Sequence, residues 1–468
     1  MVQIPIVSGI YTDGAADFRT SLPCNLLPVP KAQGISSGYL RPADGIVAFG
    51  TGPGNDRGGI VWEGVHYRVM GSKLVSVSAG GAVTVLGDVD DDGQPVTLDY
   101  GFDYLAIASN DKLFYWSGTA LTQVTDPDLG AVNDVLWVDG YYMTTDGEFL
   151  VVTELNDPFS VNPLKYGSSE ADPDPVIALL KVRNEVAALN RHTIELFDNI
   201  GGQLFPFQRI EGAQIEKGCI GKDACCIYLD AIAFLGSGFN EAPGVYIGAN
   251  ATATKISTRE IDTLLLAYTD SELAATVMEA RNDKANQLLY IHLPDRTLVY
   301  DAVASQEIGQ PAWHELTSEL EGYARYRARG FVWNGNDWIA GDPTGATLGR
   351  MTDAISSHYG DRVRWEFATG IVYNESAGAI FHELELVALP GRGAFGLEPF
   401  IETSYSLDGE EWSMGRTISA GTLGQRQKRL AWFQQGAMRN WRVQRFQGTS
   451  DAFLSFARLE ARLEPLAW

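Results

Sequence analysis

The sequence predicts an all-β protein: a β-propeller of about seven blades with a helical insertion, followed by a C-terminal antiparallel β-sandwich domain. Three observations support this fold class. The 468 residues include 50 Gly, 20 Pro and many aromatic side chains, a composition typical of short strands joined by turns. Strand–turn–strand units recur about every 44 residues, which is the period of a four-stranded blade. From about residue 361 the strands become longer and alternate regularly, as in a sandwich.

These patterns divide the chain into three parts. Residues 1–44 are predicted to form an extended N-terminal arm, residues 45–360 the propeller with a helical insertion near 257–280, and residues 361–468 the sandwich. A closed ring of blades would leave no long strand edge free. A series of stacked sandwiches is the alternative architecture.

Seven units make up the predicted propeller. Each has two or three short strands and small or polar turns, such as Asn110-Asp111 and Asp146-Gly147. The units are Trp62–Asp88, Asp103–Asp126, Asp134–Asp157, Val176–Asn199, Ala231–Ser257, Leu288–Leu316 and Gly330–Met351.

The sixth unit shows the pattern in most detail. Leu288–Leu293 and Thr297–Asp301 are predicted strands separated by a tight polar turn. A polar excursion, Ala304–Gln310, precedes a third strand around Trp313. Since such a hairpin cannot bury its apolar face alone, it is expected to be one piece of a repeated structure.

Two segments depart from the repeat. In Ser257–Ala280, apolar residues recur at helical spacing, and Thr269 with Glu272 forms a capping box that opens a predicted helix, Asp270–Glu279. This insertion either packs on the propeller rim or docks a neighbouring subunit. The N-terminal segment is interrupted by prolines, including Pro28 and Pro30, which exclude a helix. It is therefore predicted to lie extended over another surface.

Charge and cysteine content exclude several function classes. The formal net charge is −24, so the general surface cannot neutralise a nucleic-acid backbone. Any contact with DNA must be local, must be steric, or must occur in a channel whose lining residues differ from those of the general surface. The four cysteines form no CxxC motif, which indicates buried, reduced thiols and no zinc site. Neither a signal peptide nor a membrane span is expected from the sequence.

An acidic loop is the one candidate for a metal site. Asp88, Asp90 and Asp92 alternate before Gly93, and Asp99 stands at the twelfth position, as in a calcium-binding loop. The alternative is a solvated turn at a blade edge, because no helices flank the loop and Asp99 replaces the usual glutamate. Calcium is therefore the only cofactor that the sequence suggests.

No catalytic constellation is evident. The six histidines show no HxH or HExxH spacing and are expected to be structural. Gly50–Gly59 is glycine-rich but lacks the residues of a phosphate-binding loop. Ser404–Trp412 resembles the turn of sialidase-like propellers, but Asp408-Gly409 also suits an ordinary hairpin turn with Trp412 packed inward.

Basic residues cluster in two places and are the candidate partner-binding residues. They are either solvated strand faces, or a docking patch for an acidic partner, or the lining of a channel. The residues are Arg325, Arg327 and Arg329 in the propeller, and Arg426, Lys428, Arg429, Arg439, Arg442 and Arg445 in the C-terminal domain.

Several segments, in order, resemble one family, the packaged DNA stabilisation protein or tail accessory hub of short-tailed bacteriophages (podoviruses). The C-terminal strands follow the family pattern more loosely. The segments are NLLPVPK (Asn25–Lys31), GYLRPADGI (Gly38–Ile46), YRVMGSKL (Tyr67–Leu74), TIELF (Thr193–Phe197), EKGCIG (Glu216–Gly221), YTDSELAATVMEA (Tyr268–Ala280) and, as the most specific, IHLPDRTLVYDAVASQ (Ile291–Gln306).

The resemblance implies a structural protein of the virion tail, made in the host cytoplasm and without enzymatic activity. It implies a hexameric ring below the head-to-tail adaptor and portal proteins, which closes the channel after DNA packaging. The ring would also hold a tail needle and present sites for tailspikes or fibres, with no membrane partner and no sequence-specific nucleic-acid binding. The alternative function is a glycan-binding or sialidase-like propeller protein. Ser404–Trp412 suggests glycan processing, whereas Asp88–Asp92 suggests a glycan-binding or calcium-dependent adhesin.

Overall fold

The propeller consists of seven sheets that follow one another along the chain. The computed structural model describes residues 2–4, 6, 9–12, 18–31, 36, 38–169, 173–284, 286–322, 324–374, 377–393 and 395–466. Each sheet is an antiparallel meander of four strands, except blade 5, which has five. Each of the seven predicted units falls in one blade, so the repeat prediction is confirmed.

The strands of blade 1 are Asp56–Trp62, Val65–Met70, Lys73–Val77 and Val83–Asp88, and those of blade 2 are Thr97–Tyr100, Leu105–Ser109, Lys112–Trp116 and Leu121–Gln123. Blade 3 consists of Asp134–Val138, Tyr141–Thr145, Phe149–Glu154 and Asp157–Ser168, and blade 4 of Val176–Val182, Glu185–Asn190, Ile194–Asn199 and Phe207–Arg209. Blade 5 consists of Gly218–Cys219, Cys225–Tyr228, Ala231–Ser237, Gly244–Ala249 and Thr252–Lys255. Blade 6 consists of Val277–Asp283, Asn286–His292, Thr297–Asp301 and Ala312–Leu316. Blade 7 consists of Arg329–Trp333, Trp338–Gly341, Thr347–Thr352 and Gly45–Thr51.

The ring closes through an early strand of the chain. The innermost strand of each blade contacts that of the next, and Arg329–Trp333 of blade 7 returns to Asp56–Trp62 of blade 1. The outer strand of blade 7 is Gly45–Thr51, which pairs with Thr347–Thr352. Residues from both ends of the propeller sequence therefore share one sheet, so opening the ring requires breaking a complete strand pair.

A buried ion pair reinforces this seam. Arg68 in blade 1 donates from Nε to Asp56 Oδ1 at 2.6 Å and from a terminal nitrogen to Asp56 Oδ2 at 2.7 Å. The same guanidinium donates to the carbonyl oxygen of Gly330 in blade 7 at 2.9 Å. Both charged side chains are essentially inaccessible to solvent. The pair thus joins the first and last blades in a low-dielectric environment.

Turn chemistry explains the meander. Asn110 and Asp111 have φ angles of 51° and 56°, which both residues of a type I′ hairpin turn require. We call the face that carries this turn, together with loops 89–96 and 124–133 between blades, the upper face of the propeller. The opposite face, with the turns at Glu63-Gly64 and Asp139-Gly140, is the lower face.

The described residues of the propeller include three short helices: α1 (Arg259–Leu265), α2 (Asp270–Ala274) and α3 (Ala302–Ile308). The capping box of α2 is confirmed, since the Thr269 side chain accepts from Glu272 N and the Glu272 carboxylate accepts from Thr269 N at 2.8 Å. The predicted extension of α2 to Glu279 is wrong, because the chain must enter the innermost strand of blade 6 at Val277. The predicted polar excursion is α3, capped by the Asp301 side chain.

The C-terminal domain is a sandwich of two antiparallel sheets, as predicted. Their facing sides bury aromatic residues, among them Trp365, Phe367, Phe446 and Phe456. The larger sheet contains Leu26–Pro30, Gly38–Pro42, Phe456–Pro465, Ala379–Ala388 and Leu430–Phe433, with Val2–Ile4 and Ala437–Met438 at its side; the smaller contains Arg364–Ala368, Trp441–Thr449, Phe400–Ser406 and Arg416–Ser419, with Val372–Tyr373. A separate hairpin, Gly9–Thr12 and Phe18–Ser21, lies beside the smaller sheet.

The N-terminal segment is not an arm that extends over another surface; for its described residues that prediction is wrong. Its strands pair with C-terminal strands, and Ile4, Ile6, Leu26 and Leu40 are all buried in the sandwich core. Prolines suit this position because they lie on an edge strand, where no ladder hydrogen bond is lost. The first strands of the chain thus complete the last domain.

Cys24 and Asn25 tie the two domains together. The backbone of Cys24 bonds to that of Glu366 in the sandwich at 2.8 and 3.2 Å, and Asn25 N donates to the Glu315 carbonyl in blade 6 at 2.9 Å. The Asn25 amide group donates to the carbonyls of Thr317 and Arg364 at 2.9 and 2.6 Å. One short segment therefore satisfies backbone groups of both domains.

Candidate partner-binding surfaces

The basic triplet in the propeller does not form one face. Arg329 begins a strand and lines the central channel, with a bond to the Asp56 carbonyl at 3.3 Å. Arg327, in the preceding loop, donates to Asp342 Oδ2 at 2.9 and 2.7 Å. Arg325 donates to the Leu293 carbonyl at 3.4 Å. The three side chains thus have separate structural partners, and only Arg329 matches the predicted channel lining.

The first basic group of the sandwich lies at one end of that domain. Arg426 and Lys428 are in the loop 420–429, where Arg426 is exposed and Lys428 donates to Ser419 Oγ at 2.8 Å. Arg429 is neutralised by Glu383 and Glu385, with bonds of 2.9 Å to each. Arg426 and Lys428 therefore remain as candidates for an outside partner.

The second basic group divides between surface and core. Arg439 is exposed at the opposite end of the sandwich. Arg442 is fully buried between Phe381 and Tyr405, with its guanidinium carbon 4.2 and 3.8 Å from their ring centroids. Because burial is not offset by a carboxylate, the pKa of Arg442 is lowered to about 10. The prediction that Arg442 docks a partner is wrong, since its side chain holds the core together.

Arg445 lies in a cleft between the two domains. Its guanidinium stacks 4.2 Å from the Trp412 ring centroid, and Nε donates to Ser404 Oγ at 3.2 Å. The cleft encloses about 280 Å³ and is also lined by Glu315. Burial raises the pKa of Glu315 to about 6, although Arg296 approaches it to 3.5 Å. Arg445 therefore contributes to the domain junction.

The acidic loop directs its carboxylates toward basic side chains. Asp88 pairs with Lys73, Asp90 with Lys112 at 2.5 Å, and Asp92 with Arg57. Asp99 instead accepts from the Trp137 backbone at 2.6 Å, and burial raises its pKa. Across the described ranges, no three His, Cys, Asp or Glu side chains come together as a metal ligand set. The geometry of this loop is that of a solvated, ion-paired turn.

The central channel is narrow and polar. Its cavity of about 400 Å³ is lined by innermost strands around the ring, and it contains Arg329, Glu279, Asp134 and Asp223. Glu279 is held by the backbone amides of Gly330 and Phe331 at 3.1 and 3.0 Å and by His292 at 2.8 Å. Burial raises the pKa of both Asp134 and Asp223. These groups connect neighbouring blades by charge and hydrogen bonding.

Comparison with known proteins identifies the family. A family profile described as "Bacteriophage P22 Gp10, beta-propeller" matches residues 2–356, and a second, "Bacteriophage P22 Gp10, beta-sandwich", matches residues 364–464. The chain belongs to the bacteriophage P22 Gp10 family. The predicted resemblance to phage tail hub proteins is thereby confirmed, and so is the combination of propeller and sandwich.

One curated relative covers nearly all of this Gp10 family member. The chain is 29% identical over 461 residues to the tail hub protein gp10 of Salmonella phage P22, with 93% of this chain and 94% of the relative covered. The protein is accordingly a structural component of a phage tail. In the described part of the chain, helices are too short to cross a membrane.

Solved structures give weaker likenesses to this Gp10 family member. A computationally designed protein, Ika8, has a TM-score of 0.39 at 11% identity, covering 71% of this chain and 95% of its own. The Pan2 WD40 domain of Neurospora crassa has a TM-score of 0.42 at 10% identity, covering 66% and 95%. These scores are too low to add to the family assignment.

The sialidase-like turn has a structural role in this Gp10 family member. It lies in the sandwich and does not line the channel cavity, and Asp408 caps the backbone amides of Glu410 and Glu411 at 3.0 and 2.9 Å. Trp412 is half-buried beneath Arg445 and does not pack into the core as predicted. The turn therefore gives no support to the glycan-processing alternative.

The histidines and cysteines occupy mostly buried positions. His66, His314 and His358 each have a pKa lowered to about 3, because burial disfavours their charged forms. All four cysteines are free; Cys24, Cys219 and Cys225 are buried and Cys226 is half-buried. The expectation of reduced thiols agrees with these positions.

Sequence inspection missed one basic residue of interest. Arg392 is exposed in the loop 389–399, which packs against the loop of Arg426 through a bond from Gly424 N to the Gly391 carbonyl at 3.1 Å. Gly391 has φ of 76°, and a Cβ there would lie 2.8 Å from the Gln425 backbone, so the close approach requires glycine. Arg392 stood apart in sequence from the basic cluster that it joins in space.

Proposed function

We propose that this protein is the tail hub of a short-tailed bacteriophage. Six copies form a ring below the head-to-tail adaptor and portal proteins. The ring closes the channel after DNA packaging and carries the tail needle and the tailspikes or fibres. The observation that carries this proposal is the family match, which extends over both the propeller and the sandwich.

The dimensions and charge of the protein support retention of DNA by steric closure. The propeller channel, at about 400 Å³, has the size of a small-molecule site and is too small for a nucleic-acid strand. A net charge of −24 also disfavours binding to phosphates. DNA would therefore pass through the opening that the six copies enclose on the axis of the ring. It would be held back by the tail proteins assembled on the ring.

The rigidity of the fold suits this role. The ring of blades is closed by a shared sheet, and the sandwich is fixed to blade 6 through Cys24 and Asn25. A hub that supports other tail proteins must transmit force without opening. Two domains joined by backbone hydrogen bonds meet that need better than two domains on a flexible linker.

Mixing the purified protein with a portal–adaptor complex tests the proposal. The expected result is co-migration of six copies per complex in sedimentation, with a ring visible by electron microscopy. A portal complex that lacks the adaptor is the control and should not retain the protein. Failure of the protein to join the complete complex would contradict the hub function.

Retention of DNA gives a second measurement. Particles assembled without this protein should package DNA and then lose it, so that the DNA becomes sensitive to added nuclease. Adding the purified protein before the nuclease should restore protection. If particles without the protein keep their DNA protected, closure is performed elsewhere in the tail.

A further inference from the structure

Charge is segregated along the chain in two opposite blocks. From Trp412 to Ser450 there are seven Lys or Arg residues and no Asp or Glu. From Leu113 to Leu164 there are eight Asp or Glu residues and no Lys or Arg. The first block belongs to the sandwich and the second to blades 2 and 3. One protein therefore carries two complementary regions on different domains.

Only part of the basic block is free to meet a partner. Arg442 is buried, Arg429 is paired with two glutamates, and Arg416 donates to the carbonyls of Phe433 and Gln434 at 2.9 and 2.6 Å. Arg445 lies in the cleft between the domains, and Arg439 is exposed at the opposite end of the sandwich. Arg426 and Lys428 therefore remain at this end, on the loop that packs against that of Arg392. Apart from Glu398, these two loops contain no acidic residue.

This end of the sandwich also exposes apolar side chains. Leu389 is 52% exposed, Phe395 92% and Leu423 51%. We call these three residues, together with Arg392, Arg426 and Lys428, the basic tip. Exposed apolar residues beside unpaired cations are typical of a protein interface, whereas binding to a phosphate backbone needs only the cations. Among the described residues, neither Arg392 nor Arg426 has a carboxylate partner.

Four carboxylates of the acidic block, and Asp111 just before it, lie on neighbouring loops of the upper face. We call Asp111, Asp126, Asp128, Asp146 and Glu148 the acidic ridge. The loops that carry them are joined by bonds from Val132 N to the Asp111 carbonyl at 3.1 Å and from Asn133 N to the Thr145 carbonyl at 2.9 Å. Asp146 caps the amides of Glu148 and Phe149 at 2.9 and 2.7 Å, which fixes its position.

We infer that the basic tip of one copy docks on the acidic ridge of the next copy in the ring. This inference rests on the ring proposed above. A ring of identical copies uses heterologous contacts, in which two different patches of each copy meet. Copies with a charge of −24 repel one another unless opposite charges face each other locally, and the tip and the ridge supply such a pair.

Charge reversal tests the contact. The tip variant is Arg392→Glu with Arg426→Glu, and the ridge variant is Asp128→Lys with Glu148→Lys; all four side chains are exposed, so both variants should melt at the wild-type temperature. Each variant alone is expected to associate roughly tenfold more weakly than wild type, because like charges then face each other. Sedimentation of the full-length chain, alone and on the portal–adaptor complex, measures this.

The decisive measurement is the assembly of a mixture of the two variants. In an alternating ring of even number, every contact between the tip variant and the ridge variant is complementary, so an equimolar mixture should recover assembly. The matched controls are Arg439→Glu, at the other end of the sandwich, and Asp103→Lys, on the lower face; both should assemble as wild type.

The possible outcomes distinguish failure of the tip–ridge contact from failure of the proposed hub function. Wild-type assembly by the tip variant would overturn the tip–ridge contact and leave the ring intact. Loss of assembly without recovery on mixing would show that the ridge is not the partner of the tip. If the tip variant assembles but loses binding to a short DNA duplex, the tip serves nucleic acid and the inference is wrong. If wild type itself forms no ring on the complex, the hub function fails instead.

Discussion

The buried pair between Asp56 and Arg68 holds the first and last blades together, so its loss should destabilise the propeller at the seam. In Asp56→Ala the guanidinium of Arg68 stays at 0% exposure with its two carboxylate bonds gone. Removing one partner of a buried pair costs about 3–5 kcal/mol. For a domain of this size, that corresponds to a fall in melting temperature of roughly 10 °C.

A double variant separates the effect of the lost hydrogen bonds from the effect of the unpaired buried charge of Arg68. In Asp56→Ala with Arg68→Met neither charge of the pair remains, and an apolar replacement of a buried pair is often nearly neutral. The double variant should therefore regain most of the stability that the single variant loses. Lys284→Ala is the matched control, because its pair with Asp353 joins blade 6 to blade 7 with side chains 57% and 53% exposed. Exposed pairs contribute less than about 1 kcal/mol.

Urea unfolding monitored by tryptophan fluorescence, together with calorimetry, measures all three variants. The reasoning is refuted if Asp56→Ala loses no more stability than Lys284→Ala. It is also refuted if the double variant is less stable than the single one, because the buried charge would then not be the cause.

Three further predictions follow from other parts of the molecule. Deleting residues 1–44 should unfold the sandwich, because the burial of Ile4, Ile6, Leu26 and Leu40 stabilises it by about 1.5–3 kcal/mol for each side chain. Protease resistance of the C-terminal fragment measures this. Val2→Ala, at an exposed position, is the control and should leave that resistance unchanged. Glu315→Gln should stabilise the protein by about 2 kcal/mol at pH 8, because burial raises the folded-state pKa of Glu315 from 4.5 to about 6 and its ionisation above that pH costs stability. The advantage should vanish below about pH 4.5, where the carboxyl is protonated in both states; an advantage independent of pH would contradict the assignment. Adding calcium or a chelator should leave the melting temperature unchanged, because Asp88, Asp90 and Asp92 already face Lys73, Lys112 and Arg57; a calcium-dependent rise would restore the metal site that the spacing suggested.

Local patterns predicted the elements that depend on local chemistry. Asn110-Asp111 is a turn because both residues tolerate positive φ, and Thr269 with Glu272 begins a helix because the two groups cap each other. The end of that helix was placed too late, at Glu279, since the strand of blade 6 begins at Val277, and Met278 N bonds to the carbonyl of Asp223 in blade 5 at 2.7 Å. Short-range propensity cannot anticipate where a tertiary partner ends a helix.

The basic residues show the same limit in the candidate site. Spacing along the sequence grouped Arg439, Arg442 and Arg445, but the strand pleat and the turn before it send them to the surface, the core and the domain cleft. Arg392, distant in sequence, joins Arg426 because a glycine allows their two loops to touch. Which cations are free depends on which carboxylates come near, and that is a property of packing.

The sequence by itself determined the repeat of blades, the number of units, the second domain and the family, because strand period, turn residues and short family-like segments can all be recognised locally. Only the tertiary structure decided how the ring closes and where the N-terminal segment belongs. Gly45–Thr51 completes blade 7, and Leu26–Pro30 and Gly38–Pro42 complete the sandwich. These pairings join residues hundreds of positions apart, and their stability comes from burying strand edges that no local pattern records.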